Sequence, residues 1–417
     1  MKEKIKKNID DPEIMEELYQ SDKKGFASAF EEIYPDIQEF GLSRFWKIRL
    51  DYDKLSFSSK KLIMADIMKL IAVCLFTGFL IKIPAIFGIA EEMFYFRNTG
   101  IIVFGGLILY VALNRRNFDY KKIAYVVGTV ALLTIYVNVL PFVNDSDSIN
   151  LVYLHLPVLM WAVFGLVYID FDLKNVYKRI DYIRYNGDLA ILMAIMVIAG
   201  AILSGITVIL FETIGLDIEE VYIEYVGLIG AVSIPIVATF ITRNYKSLTN
   251  KIAPIIANIF SPLVLVAAIV FLGALTTSGK NLFEDRDFLL IFNMMLLGVM
   301  AVIVFSVSET FSNPTSKFNA VVLFLLAILT VIIDGIALSA IFYRLGAYGI
   351  TPNRLAVLGS NVLILGNLIW LIVELFKVNF KKADIRSIEI TISKYLPVYL
   401  FWIIFVVFGF PFIFGMR

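Results

Sequence analysis

The sequence predicts an all-α integral membrane protein, a polytopic bundle of about eleven transmembrane helices behind a small polar helical region. Three observations predict it. Apolar residues make up 59% of the 417 and charged residues only 18%, against roughly 45–50% and ~25% in ordinary soluble domains. The apolar residues gather into runs of about 20, the length that crosses ~30 Å of hydrocarbon. The segments between runs are short and alternate between rich and poor in Lys and Arg.

Residues 1–61 form the polar region. Asp11-Pro12-Glu13 is a helix start: a capping carboxylate, a proline at the first helical position and an acid in the first turn. Ile14, Leu18, Phe26, Phe30, Ile33 and Tyr34 then give an amphipathic pattern. Asp22 is placed to cap a second helix from Lys23 to Glu32. Phe45, Trp46, Ile48 and Leu50 follow, interleaved with Arg44, Lys47 and Arg49. That mixture suits a segment on the inner membrane face, and equally a helical cap on the membrane domain. No apolar run follows the basic Met1–Lys7 stretch, so no cleaved signal peptide is expected. Neither end carries a lipidation motif.

The membrane domain is residues 62–417. Its spans are read at 62–88, 98–114, 121–143, 151–170, 187–211, 221–242, 252–276, 288–309, 319–343, 353–376 and 394–415. With the N-terminus inside, 29 of the 37 Lys and Arg residues fall on inner segments and 6 on outer ones; Lys69 and Lys82 lie within the first span. This is a strong positive-inside bias. It predicts a cytoplasmic N-terminus and an outer C-terminus in a bacterial inner membrane. Gly200, Ser204 and Gly205 in span five, and Gly227 and Gly230 in span six, suggest close helix packing. Pro254 and Pro262 suggest a kink in span seven, with Asn258 between them.

Composition also excludes. One cysteine, Cys74, and one histidine, His155, rule out an internal disulfide and a Cys/His zinc site. No glycine-rich loop ends in Gly-Lys-Ser/Thr, so no nucleotide engine of that type is present. No catalytic, cofactor or metal residues are assigned, no cofactor is expected, and no nucleic-acid partner is expected. Membrane lipids are the expected surroundings. A small solute or ion, and a protein partner at residues 1–61, are the candidate ligands.

The chemistry concentrates in spans nine and ten. Asp334 lies mid-span with no basic residue within four positions on its own helix. A lone carboxylate there costs about 2.5–3.5 kcal/mol. It must be protonated, paired across helices, hydrated or bound to a cation. Thr330 lies one turn before it, and Gly335 follows it. On span ten, Asn353, Ser360, Asn367 and Glu374 recur every seven residues and share one slowly drifting face. Arg354 and Asn361 run beside them. The face is either an interhelical hydrogen-bond ladder or a solute or proton path. Thr351 and Pro352 start span ten. Arg354 then falls in its first turn, where the helix dipole opposes a cation, and so calls for a carbonyl or acidic partner. Arg344 lies across the turn. Secondary candidates are the Asp66–Lys69 pair near the inner end of span one, His155 as a proton-relay group, Asn258 and Asn293.

The run Tyr348-Gly349-Ile350-Thr351-Pro352-Asn353-Arg354, with Tyr343-Arg344 before it, resembles the C-terminal pattern of a bacterial membrane family described as domain of unknown function 4153. Phe30-Glu31-Glu32-Ile33-Tyr34-Pro35 and Phe45-Trp46-Lys47-Ile48-Arg49-Leu50 are similar to the family's leader. The resemblance implies a bacterial inner-membrane setting and supplies no substrate, catalytic residue or cofactor.

Three functions remain open from the residues: a transporter-like or ion-coupled protein; a sensory, scaffolding or envelope-assembly protein; and a membrane-embedded enzyme. The enzyme reading lacks a histidine cluster or nucleophile–base arrangement. Asp145 and Asp147 are its nearest acidic pair.

Overall fold

Backbone polar groups left unpaired in hydrocarbon are costly, so a spanning segment closes its hydrogen bonds within a helix. The computed structural model describes residues 1–115, 119–141, 146–213, 216–245, 261–273, 286–310, 317–381, 383–384 and 386–416, and all regular structure among them is helical. The chain divides into two compact units, Met1–Lys69 and Leu70–Arg417.

The first unit holds α1 (Lys2–Lys7), α2 (Pro12–Ser21), α3 (Lys23–Ile37) and the start of α4 (Gly41–Ile81). Asp11 caps α2, accepting from the Glu13 and Ile14 amides, and Asp22 caps α3 through the Gly25 amide. The third helix continues past Glu32, through Pro35, to Ile37. Its core is Ile5, Met15, Tyr19, Phe26, Phe30, Ile33, Trp46 and Leu50. Trp46 packs on Phe26 at 5.0 Å and Tyr19 at 5.4 Å between ring centroids. Ile14 is exposed instead, because Met15 and Tyr19 take the inward face of α2.

The second unit continues α4 and adds α5 (Ile83–Phe87), α6 (Glu91–Leu113), α7 (Tyr120–Val139), α8 (Asp147–Tyr168) and α9 (Val176–Thr213). Then come α10 (Glu219–Val221), a π-helical stretch Tyr222–Gly227, α11 (Leu228–Asn244), α12 (Ser261–Gly273) and α13 (Arg286–Thr310). Last are α14 (Lys317–Tyr348), α15 (Pro352–Lys381), α16 (Arg386–Ile404), a second π-helical stretch Phe405–Gly409, and α17 (Phe410–Ile413).

Among the described residues nine helices are long and apolar enough to cross a membrane, and Ser261–Gly273 and Asn293–Val307 are shorter apolar helices. Several run past the hydrophobic windows read from sequence. The fifth begins at Val176, not 187, and the second at Glu91, not 98. A helix does not stop where hydrocarbon stops; it stops where its backbone is capped. Pro254 and Asn258 lie outside the described residues.

Close approaches fall at other glycines than those singled out by spacing. A Cβ on Gly200, Gly205 or Gly230 would meet open space, whereas one on Gly100 would lie 2.8 Å from Pro157 and one on Gly359 2.0 Å from the Trp402 ring. Small residues permit contact, but only tertiary packing chooses which are used.

Polar clasps join the helices near their ends. Arg97 of α6 donates to the Tyr153 hydroxyl (3.1 Å) and to the Asn138 and Leu140 carbonyls (3.4 and 3.2 Å), tying α6, α7 and α8. Asn98 and Asn138 exchange amide hydrogen bonds. Lys82 is buried, pairs with Glu224 at 2.5 Å, and lies 4.0 Å over the Tyr225 ring. It also donates to the Glu224 carbonyl at 3.3 Å. Tyr136 donates to the Val407 carbonyl at 2.9 Å. Both carbonyls belong to π-helical stretches, where the i→i+5 pattern disturbs the ordinary ladder, and a side chain from elsewhere in the bundle supplies the donor. At the other end of α8, Asp170 accepts from Arg115 (2.8 Å) and Lys122 (2.9 Å).

Candidate functional site

The site is built on the α14–α15 hairpin. Leu323, Leu326 and Ala327 of α14 pack with Ile364, Leu368, Leu371 and Leu375 of α15. The α15 residues are spaced four, three and four apart, the repeat of one helix face. The turn is short because Gly349 adopts φ 74°, a conformation open to glycine at little cost. Thr351 caps α15, accepting from the Arg354 amide at 3.3 Å, and Pro352 opens the helix.

Two contacts pin the hairpin's register. Near the turn, Arg354 donates to the Tyr348 and Gly349 carbonyls, each at 2.8 Å. At the far end, Asn379 donates to the Ala320 carbonyl at 3.1 Å. Halfway between these anchors lie Asp334 on α14 and Asn367 on α15. At ~1.5 Å per residue, they occupy the same level of the hairpin. Tyr399 of α16 joins it: Asn367 Nδ2 donates to the Tyr399 hydroxyl at 3.0 Å. Each of the three sits near the centre of its candidate span, Ala320–Tyr348, Pro352–Lys381 and Arg386–Ile413.

Asp334 is fully buried, and neither carboxylate oxygen has a hydrogen-bond partner among the described residues. It forms no ion pair among the described residues. Asn367 is 1% exposed, and its Oδ1 is likewise unmatched. Beside Asp334, Ile333 and Ala337 pack with Ala268 of α12 and Leu296 of α13. Three acceptor oxygens therefore lie on two buried side chains at one depth of the bundle. Buried polar atoms without partners are uncommon in native folds, and an unpaired carboxylate is the most expensive of them.

The other sequence candidates fall into different roles. Thr330 is buried and donates to the Leu326 carbonyl of its own helix at 2.6 Å. Arg354 finds a carbonyl partner within the chain, and stacks 5.4 Å over the Tyr348 ring, with Arg344 5.9 Å from the same ring. It grips the C-terminal carbonyls of α14, where a cation is favoured, so the opposing dipole of α15 is offset. The seven-residue stripe divides. Asn353 is half-buried at the start of α15. Ser360 accepts from the Trp402 indole at 3.3 Å, Asn367 reaches Tyr399, and Glu374 pairs with Lys377 at 2.7 Å. Asn361 faces another way and donates to Asn293 Oδ1 of α13 at 2.7 Å. The Ser360 and Asn367 contacts thus go to the aromatic face of α16. Asp66 and Lys69 pair at 3.5 Å on one helix. His155 Nδ1 bonds the Leu151 carbonyl one turn back at 2.8 Å. Asn258 lies outside the described residues.

Tyr399 was not singled out by sequence reasoning. Its signal is the spacing Tyr395, Tyr399, Trp402, which places three polar-tipped aromatics on one face of a span.

The nine long apolar helices among the described residues, with large side chains such as Leu75, Phe79, Leu132, Leu203 and Phe401 turned outward, define a multi-pass, all-α membrane protein in contact with lipid. No family model, curated protein or solved structure matches the chain.

Proposed function

We propose that this is an ion-coupled, transporter-like protein of a bacterial cytoplasmic membrane, with its polar path between the ninth and tenth spans. The observation that carries the reading is Asp334, a fully buried mid-span carboxyl with both oxygens unmatched. Such a group is costly to retain for packing alone, since a leucine there would add apolar contact without the desolvation cost. The Lys and Arg distribution supports eleven spans with the N-terminus inside and the C-terminus outside. The Tyr348–Arg354 turn supports kinship with the bacterial family it resembles.

The test is proton and cation flux in liposomes, comparing wild type with Asp334→Asn and Arg354→Ala at equal protein levels. Asp334→Asn is expected to abolish flux. Arg354→Ala is expected to lower it through the hairpin register. Equal flux in all three overturns the assignment.

A second reading, an assembly or sensory role through residues 1–61, rests on the first unit. It has its own aromatic core and exposes Phe45 (55%) and Ile48 (64%). Loss of a co-purifying partner on deleting residues 1–55 would favour it.

A further inference from the structure

Resting on that reading, we propose that the ion at Asp334 is a proton, held on a neutral carboxylic acid that donates to Asn367 Oδ1, with Tyr399 positioning the amide. Asp334 Oδ1, Asp334 Oδ2 and Asn367 Oδ1 are all acceptors as they stand. Two acceptors at one level of the bundle cannot satisfy each other. One hydrogen converts one of them into a donor and matches a second, so a single O–H···O bond accounts for two of the three orphaned atoms.

Tyr399 decides which end of the amide is available. Asn367 Nδ2 donates one hydrogen to the Tyr399 hydroxyl, which holds the amide with Oδ1 as its unmatched end. Without that hydroxyl the amide is free to rotate and present its NH2 to the carboxyl instead, which would stabilise the ionised form. The amide's orientation therefore sets the protonation state.

A metal cation fits this oxygen set less well. Hard cations take six or more oxygens, while the unmatched side-chain oxygens at this level among the described residues number three and come from two residues. Ionisable and charged groups elsewhere on the neighbouring elements lie away from this level by position. They are Lys317, Tyr343, Arg344 and Tyr348 on α14 itself; Arg354, Glu374, Lys377 and Lys381 on α15; Arg286, Asp287 and Glu309 on α13; and Arg386, Glu389 and Lys394 on α16. Tyr395 and Tyr399 are the titratable groups nearest to it on α16, and α12 contributes none. Among the described residues no charged side chain pairs with Asp334, and in this proposal a proton neutralises it.

The experiment is infrared spectroscopy of the full chain in lipid nanodiscs at neutral pH, reading the carbonyl stretch of a protonated carboxylic acid and its shift on deuteration. The wild type is expected to show this band, Asp334→Asn to lose it, and Tyr399→Phe and Asn367→Ala to move it. Absence of an Asp334-dependent band overturns the proposal. So does a band that neither Tyr399→Phe nor Asn367→Ala displaces, which keeps the test decisive where Asp334→Asn fails to fold. A sodium-dependent gain in thermal stability, lost in Tyr399→Phe, would assign a metal cation and also overturn it. The two readings separate cleanly. A shifted band without any flux overturns ion coupling and leaves the proton assignment, whereas Asp334-dependent flux without the band does the reverse.

Discussion

Arg354 reaches back across the turn to hold the carbonyls of Tyr348 and Gly349, both at 2.8 Å, while its guanidinium lies 5.4 Å over the Tyr348 ring. One side chain from the first turn of α15 thus closes the last turn of α14. It fixes one end of the register that brings Asp334 level with Asn367.

Arg354→Ala removes two charge-assisted hydrogen bonds and a cation–π contact at a partly exposed site. We expect a loss of about 1–2 kcal/mol, with Arg354→Lys recovering only part, since an ammonium lacks the planar fork. Thermal unfolding in detergent measures it. Equal melting of wild type and Arg354→Ala would show that the turn holds itself.

Acid sensitivity is expected at Asp170. The Lys122 ammonium, hydrogen-bonded to it, holds its carboxyl below the ordinary 3.8 against the opposing effect of burial, and Arg115, Lys122 and Lys178 add charge attraction. A depressed acid contributes stability above its unfolded value and loses it as pH falls through the folded one. The stability gap between wild type and Asp170→Asn should therefore be full above roughly pH 4 and close on further acidification. Asn tolerates the backbone here, which has φ 59°, better than most residues. A gap constant down to low pH would mean that charge is not what Asp170 contributes.

Packing against α16 is tested at Gly359. A Cβ there would lie 2.0 Å from the Trp402 ring. Gly359→Ala should cost about 1–3 kcal/mol by overpacking, despite alanine's better helix propensity. Adding Trp402→Phe should return part of the loss, because the overlapping atoms belong to the larger ring. Measured melting temperatures of the single and double variants decide it, and simple additivity would place the strain elsewhere.

Legibility followed the range of the interaction. Asp11, Asp22 and Thr351 act within a turn of chain, so their capping roles were readable from the sequence, and the hydrogen bonds are present. Asp334 was readable as a problem, because no same-helix partner stood near it. Its surroundings were not readable. The partner of Asn367 comes from α16, 32 positions on, and that of Asn361 from α13, 68 positions back. Helical spacing places a residue on a face but does not say which helix that face meets. Spacing likewise brought Gly200 and Gly205 to notice, while contact uses Gly100 and Gly359.

The sequence by itself determined a multi-pass helical membrane protein, because backbone satisfaction in hydrocarbon leaves long apolar segments one form, and each such segment is local. It also determined that span nine carries an isolated acid. Only the tertiary structure decided that Arg354 serves the turn, that the stripe on α15 divides between α13 and α16, and that Asp334 shares its level with Asn367 and Tyr399. Those outcomes depend on register and rotation between helices distant in sequence. Register and rotation are set by many side chains packing at once, which no single helix's spacing encodes.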